Sequence, residues 1–460
     1  MKRLSPVDIP DNVSIWDLIR KRLEHHSEKN RIALIDGQTG RQYSYRELLT
    51  SIRNVGSALL RRGFRKGDIL CIISANCCQY PMALHGALSI GGIVTTCNPQ
   101  NTVGDIRIQI EDSRAQWIIT SSEVVDKVKD AVQHLKDIQE VFSFDDTTGC
   151  TPFSALTSYV STESEVDVTI DPRNDVALMF YSSGTTGKPK GVLRTHYNIV
   201  ADIHQESHPS IAISRSPGSE VYIGILPFFH AYGCVAFAHC CLVSGDSVVV
   251  IPKYVAEDVF KVMQVYKVTV LMAVTPIVFD LVRRHDVADI LAHVHTILNS
   301  AAPLSPDVQR QLKLAASVRR VQQVYGMTET GIVLMPEWDD DSSVGSVGLP
   351  GSNTECKIVD PQTGKELDPH QTGELLIRGP TVMKGYFMAS SSDGDLDSDR
   401  WLHSGDMVHC DDYGRFYIVD RFKQLIKYNG FQVGEHVNAN LGTISISFHA
   451  YELLNQILRF

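Results

Sequence analysis

Tyr181-Ser182-Ser183-Gly184-Thr185-Thr186-Gly187-Lys188-Pro189-Lys190-Gly191 follows without a break on the apolar run Asp175 to Tyr181, DVALMFY. The run reads as a buried strand, and the segment after it as a loop built to hold an anion. Its glycines permit backbone conformations that turn N–H groups inward. The Ser and Thr hydroxyls and two lysines add donors for phosphate oxygens. A flexible Ser/Gly turn would seldom combine this hydroxyl density with two lysines directly behind a core strand. The P-loop pattern G-x-x-x-x-G-K-[ST] is disfavoured. Here Gly187-Lys188 is followed by Pro189, which has neither a hydroxyl nor a backbone N–H.

Working outward, helix and strand signals alternate. Ser44-Tyr45-Arg46-Glu47 has capping-box spacing, and Leu48, Ile52, Val55 and Leu59 recur on one helical face until Gly63. Ile69 to Ile73, Gln116 to Thr120, Ser247 to Ile251 and Val268 to Val274 read as strands, and Met82 to Leu88 as a helix. Continuous apolar runs separated by helices predict parallel sheets covered on both faces. After about Gly345 the texture changes to short strands, Lys357 to Val359, Glu374 to Arg378 and Arg415 to Val419, parted by Gly, Pro and Asp turns. A small antiparallel β-barrel or sheet attached to an α/β body is expected. Ala389 to Asp399, ASSSDGDLDSD, reads as a flexible surface loop.

Composition bounds the function. The 460 residues are 43% hydrophobic and 21% charged, ordinary for a soluble globular chain of several subdomains. Lys and Arg total 43 against 53 Asp and Glu, a net charge of -10. With only isolated arginine pairs such as Arg61-Arg62, this argues against a surface that tracks a phosphate backbone, so no nucleic-acid partner is expected. The ten cysteines are scattered with no C-x-x-C pair, which predicts reduced thiols and no zinc. Met1 to Asn12 lacks the apolar core of a signal peptide. Tyr232 to Ile251 is interrupted by His239, Gly245 and Asp246, and reads as a buried helix then a strand, not a membrane span. A cytoplasmic protein is expected.

The loop resembles the signature of the acyl-adenylate-forming superfamily, which includes acyl-CoA synthetases, 4-coumarate–CoA ligases, beetle luciferases and peptide-synthetase adenylation domains. Further segments resemble the same family in order: Leu226-Pro227-Phe228-Phe229-His230-Ala231-Tyr232-Gly233, Asn299-Ser300-Ala301-Ala302-Pro303-Leu304, Gln323-Val324-Tyr325-Gly326-Met327-Thr328-Glu329, Trp401-Leu402-His403-Ser404-Gly405-Asp406 and Val419 to Val433. The wording is most similar to the 4-coumarate–CoA ligase-like and medium-chain acyl-CoA synthetase group.

That resemblance implies the site. Ser182, Ser183, Gly184, Thr185, Thr186, Gly187 and Lys190 would grip the phosphates of ATP. Ser300 (where the family usually has glycine), Ala301, Ala302 and Pro303 would pack against adenine, on which Tyr325 beside Gly326 would stack. Thr328 would contact phosphate, and Glu329 would hold Mg²⁺, a hard cation suited to carboxylate oxygen. Alone, a Glu after Thr is more often solvated or capping; the preceding strand and a tight Tyr-Gly turn favour function. His230 would lie near the carboxylate of the acid, although alone it would more often be a core histidine. Tyr232 and Val324 would line the acyl pocket, with Val324 narrowing it where relatives often carry glycine. Asp406 and Arg421 would bind ribose, Lys423 would be the interdomain pivot, and Lys427 would serve the half-reaction with CoA.

The implied activity is ATP-dependent activation of a fatty or aryl acid to an acyl adenylate, followed by thioester formation with CoA. The expected organisation is an α/β body over 1–344, a β-rich part over 345–419, a hinge over 420–433 and an aberrant tail over 434–460. A catalytic C-terminal lobe is absent from this reading, and a short helix is expected around Tyr451 to Leu458. Activity is therefore expected to be impaired in this chain. The alternative is an ATP- and acyl-binding protein or a regulatory isoform of a longer ligase. Relatives often end in a peroxisomal Ser-Lys-Leu, whereas this chain ends Leu458-Arg459-Phe460, so a peroxisomal address is kept for a longer form.

Overall fold

The computed structural model describes residues 4–160, 168–183, 189–214, 218–315, 318–338, 340, 344–388, 395–421, 425–428 and 431–434. Helices Ile15–Ser27, Tyr45–Arg61 and Val103–Ser113 begin with the same device. Ser14, Ser44 and Thr102 accept the N–H three residues on, while Asp17, Glu47 and Asp105 accept from the cap's own N–H. Each cap satisfies donors that the first helical turn leaves unpaired. The helix expected from Ser44 runs to Arg61 as its apolar spacing predicts.

Two large sheets carry the body. In the first, Val176–Ser183, Ile93–Cys97, Ile69–Ile73, Trp117–Thr120, Glu140–Ser143 and Thr151–Pro152 run parallel, one beside the next. Pro189–Thr195 returns antiparallel along Val176–Ser183, and the short strand Gly385–Tyr386 covers its outer edge. In the second, Arg320–Gln323, Thr296–Ser300, Val270–Val274, Val221–Gly224, Ser247–Val250 and Ile32–Asp36 are parallel, closed by the antiparallel Gln42–Ser44.

Period-two alternation explains why both faces are covered. Leu70 and Ile72 enter one core cluster, which also takes Leu34, Val248 and Leu298 from the second sheet and Leu48, Ile52 and Leu84 from helices. Ile69, Cys71 and Ile73 enter another, with Ile106 and Ile110 of helix Val103–Ser113. The segment Tyr232 to Ile251 becomes helical turns Ala231–Val235, a π turn Ala236–Cys240 and Cys241–Ser244, then strand Ser247–Val250, as expected. Among the described residues no helix is long and apolar enough to cross a membrane.

The antiparallel part has four strands, Glu355–Val359, Gly373–Arg378, Leu402–Cys410 and Phe416–Arg421. A second sheet of Tyr325–Met327, Gly331–Met335 and Leu349–Pro350 is bridged to it through Gly348 and Phe416. Val333, Leu375, Ile377 and Phe416 share the core between them. The tight turn expected at Tyr325-Gly326 lies three residues later, at Thr328 to Thr330, because Tyr325–Met327 is itself a strand paired with Gly331–Met335. Asp395, in the stretch expected to be a free surface loop, is held instead: its backbone carbonyl accepts from His403 N–H at 2.7 Å and its carboxylate from Tyr386. Residues 389–394 and 435–460, with the helix expected near Tyr451, lie outside the described residues.

Candidate active site

The strand before the expected phosphate loop and the strand after it form one hairpin, in which Ser182 stands opposite Lys190 and Ser183 opposite Pro189. The connecting Gly184, Thr185, Thr186, Gly187 and Lys188 lie outside the described residues. Ser182 Oγ donates to Glu329 Oε1 at 2.9 Å within the interior. Lys190 Nζ lies 4.9 Å from the ring centre of Tyr386, an attractive cation–π placement. The Tyr386 hydroxyl is 3.2 Å from Glu329 Oε1 and 2.9 Å from Asp395 Oδ2. The hydroxyls of Ser182 and Tyr386 thus meet one buried carboxyl, with Lys190 and Asp395 each placed against the Tyr386 side chain. Burial raises the Glu329 pKa, against the lowering effect of Ser182 and Tyr386.

Glu329 stands in a turn whose backbone is fixed on two sides. Its carbonyl accepts from Met383 N–H at 2.7 Å, and the preceding carbonyl, of Thr328, accepts from Arg194 Nη1 at 3.3 Å. The residue after the turn, Gly331, has φ +68, and a Cβ there would fall 2.3 Å from Asp202 Oδ1. Only glycine fits that approach.

A second group forms across the antiparallel sheet. Tyr325 hydroxyl donates to Asp406 Oδ2 at 2.6 Å, with both residues buried. Asp406 stands opposite Arg421 in the strand pairing, so of the three residues expected at the nucleoside, Asp406 is joined to both of the others. The Ser300 to Pro303 loop leaves the end of strand Thr296–Ser300 with Ala301 at φ +70. That left-handed conformation costs an alanine roughly 1–2 kcal/mol. Asn299 Nδ2 and Thr275 Oγ1 hold it, each donating to the Ala302 carbonyl at 2.9 Å, and Leu304 N–H donates to Gln323 Oε1. The loop is thereby fixed to Thr275, Asn299 and Gln323, the last of them two residues before Tyr325 in the chain.

His230 caps helix Ala231–Val235: its Nδ1 accepts from Tyr232 N–H at 3.3 Å. With Nδ1 accepting, the ring proton rests on Nε2, the form that can donate to an anion. The segment before it is pinned by Asn76, whose amide donates to the Gly224 and Leu226 carbonyls and accepts from Phe228 N–H. Gly233 is required because a Cβ would sit 2.2 Å from the Pro227 carbonyl oxygen. Val324 is buried in the core cluster that includes Phe228, Ala231 and Cys234. Tyr232 hydroxyl is buried without a hydrogen-bond partner among the described residues. Lys427 belongs to strand Leu425–Tyr428, and Lys423 lies outside the described residues.

Sequence reasoning missed Tyr386, Arg194, Asp202, Asn198 and Glu206. The first sits in Lys384-Gly385-Tyr386, which has no motif of its own and gains meaning only by pairing with Val192. Glu206 accepts a hydrogen bond from the Cys240 thiol, and burial, with Asp202 adding, pushes its pKa up to about 8. The stability its proton contributes is full below about pH 4.5 and is lost as pH rises through 8. Glu206→Gln should therefore gain stability relative to the parent as pH rises from 5 to 9, read from unfolding midpoints across that range. Equal slopes for the two proteins would count against a raised Glu206 pKa.

The sequence profile described as AMP-binding enzyme matches residues 21–387. The chain is 33% identical over 442 residues to the peroxisomal OPC-8:0-CoA ligase 1 of Arabidopsis thaliana, across 93% of this chain and 79% of that protein. It is 34% identical over 440 residues to the 4-coumarate–CoA ligase of Pinus taeda, across 94% and 81%. Among solved structures it is similar to the long-chain-fatty-acid–CoA ligase FadD1 of Archaeoglobus fulgidus, with a TM-score of 0.81 at 23% identity over 92% of this chain and 87% of that one. It is similar also to ATP-bound MatB of Rhodopseudomonas palustris, with a TM-score of 0.80 at 23% identity over 94% and 84%. At that identity the structural likeness bears on the fold.

Proposed function

This chain belongs to the AMP-binding enzyme family, and we propose that it activates a carboxylic acid on ATP and passes the acyl group to the thiol of CoA. A carboxylate oxygen attacks the α-phosphorus and pyrophosphate leaves, giving an acyl adenylate. The CoA sulfur then attacks the acyl carbon, AMP leaves, and the thiol proton passes to solvent. Neither step needs a protein nucleophile, so the work of the protein is positioning and charge neutralisation.

The observation that carries the reading is the buried meeting of Ser182, Tyr386 and Glu329 beside Lys190. In this proposal Ser182, Ser183 and the 184–187 loop donate to phosphate oxygens, with Lys190 and Thr328 beside the α-phosphate. Tyr325 stacks on adenine against the Ser300 to Pro303 loop, and Asp406 with Arg421 takes the ribose hydroxyls. His230 donates to the acid's carboxylate, Tyr232 and Val324 line the acyl tail, and Lys423 and Lys427 serve the CoA step. Glu329 and the neighbouring Asp395 are oxygen donors of the kind Mg²⁺ takes. Among the described residues no three acidic, His or Cys side chains converge on one point, so the rest of its shell would come from triphosphate and water. Bound there, Mg²⁺ would neutralise charge on the phosphates. The ten cysteines are free thiols, which supports a reducing compartment, and we place the reaction in the cytoplasm.

The test is ATP binding with magnesium, followed by pyrophosphate release with a panel of fatty and aryl acids. Release should stand well above a Lys190→Ala control, and a chain that binds no ATP would overturn the reading. Asp406→Ala should weaken ATP binding at least about tenfold, because a charged acceptor of ribose hydroxyls is worth about 1.5–3 kcal/mol. Its unfolding should stay cooperative and its midpoint fall by only a few degrees, the cost of losing the hydrogen bond between Tyr325 and Asp406.

A further inference from the structure

Arg194 is fully buried, as is Asp202, and Arg194 Nη2 donates to Asp202 Oδ2 at 2.6 Å. Fully buried ion pairs seldom stabilise a fold relative to apolar residues of the same shape. This one is also imperfectly satisfied: Arg194 Nε and Asp202 Oδ1 are buried without partners among the described residues. Its presence therefore asks for a reason other than stability.

The chain offers one. Lys190 and Arg194 lie on strand Pro189–Thr195, which runs directly into helix His196–Glu206, capped by Thr195. Asn198 and Asp202, four apart, share one face of that helix. Arg194 uses its second nitrogen on the Thr328 carbonyl, and Asp202 packs against Gly331 closely enough to forbid a side chain there. The two groups thus bracket the turn holding Glu329, one on each side. Asn198 Nδ2 meanwhile donates to the Pro380 and Val382 carbonyls at 2.7 and 3.0 Å, fixing the segment whose Met383 N–H holds the Glu329 carbonyl. One strand–helix unit therefore bears the phosphate-side lysine and also sets the turn across from it.

We propose that Arg194 and Asp202 are positioning residues for Glu329, an ion pair that sets this carboxylate against the Ser182 and Tyr386 hydroxyls for metal–triphosphate binding. The inference rests on the acid-activating reading above and extends it to residues outside the nucleotide contacts. A guanidinium suits the task because its planar fork serves two acceptors at once, whereas an ammonium keeps the charge without the second fixed arm.

Two variants test it on the full chain. Arg194→Lys retains the buried charge pair but loses the arm to Thr328. Arg194→Met with Asp202→Leu removes both charges at similar shape. Affinity for ATP in the presence of Mg²⁺, and for AMP without it, is measured by calorimetry alongside the ligand-free unfolding midpoint. The expected result is at least a tenfold loss of MgATP affinity in each folded variant, with AMP affinity changed less than twofold. Retention of MgATP affinity within threefold by either folded variant would overturn the proposal, as would an equal loss for AMP. If the parent chain itself binds no MgATP, it is the acid-activating reading that fails, so the two failures stay distinct.

Discussion

Arg194→Leu alone will destabilise the protein by about 3–5 kcal/mol, the usual cost of removing one partner from a buried ion pair. The loss arises because Asp202, fully buried, keeps its carboxylate without a counter-ion. Burial already pushes Asp202 up to about 6 while the guanidinium is present, and removing Arg194 takes away the largest influence lowering it. A carboxyl raised in the folded state contributes stability that is present at low pH and lost as pH rises through the folded value. The defect should accordingly be smallest near pH 5 and grow toward pH 8. Pairing the change with Asp202→Leu should recover most of the loss, because no uncompensated charge remains. Denaturant midpoints of the parent, single and double variants at pH 5 and pH 8 check both signs. A single variant as stable as the parent at pH 8 would mean that water reaches Asp202.

The buried pair also marks what a sequence read along one dimension can and cannot deliver. The capping box at Ser44 and the strand at Ile69 were legible because their causes are local: a side-chain oxygen three residues from a carboxylate, and an uninterrupted apolar run. The strand before the Ser182 to Lys190 segment was legible for the same reason, an apolar run from Asp175 to Tyr181, but its antiparallel return along Pro189–Thr195 was not. Arg194 was not. Within Pro189–Thr195 it reads as one charged residue on a strand, and Asp202 reads as the polar face of an amphipathic helix. Their meaning depends on Thr328 and Gly331, more than a hundred residues away, brought in by packing between separate sheets that no local period encodes. Tyr386 is similar, a tyrosine on a two-residue edge strand whose importance lies in reaching Glu329. The turn expected at Tyr325-Gly326 slipped by three residues for a related reason. A three-residue strand is too short to show alternation, so its pairing with Gly331–Met335 could not be read.

Glu329→Gln should lower MgATP affinity by about thirty- to a hundredfold while leaving the fold as stable as before or slightly more so. The two effects have one origin. Burial raises this carboxyl's pKa, which says that the folded protein bears a cost for keeping it ionised. A carboxamide of the same shape removes that cost and still offers an oxygen to the Ser182 and Tyr386 hydroxyls, so unfolding midpoints at neutral pH should hold or rise. What it cannot offer is a charge to a divalent cation, and a lost ionic contact of about 2–2.7 kcal/mol corresponds to that change in affinity. A site kept at a cost to stability is the usual sign of a functional group. The pH dependence follows from the same carboxyl. The proton must leave before a cation can bind, so the parent's MgATP affinity should fall as pH is lowered toward the raised pKa, and AMP affinity should not. Titrations at pH 5.5, 6.5 and 7.5 should show that slope in the parent and its absence in Glu329→Gln. An identical slope in both proteins would assign the proton to another group, ATP's own phosphate included, and would leave Glu329 a structural acceptor for Ser182.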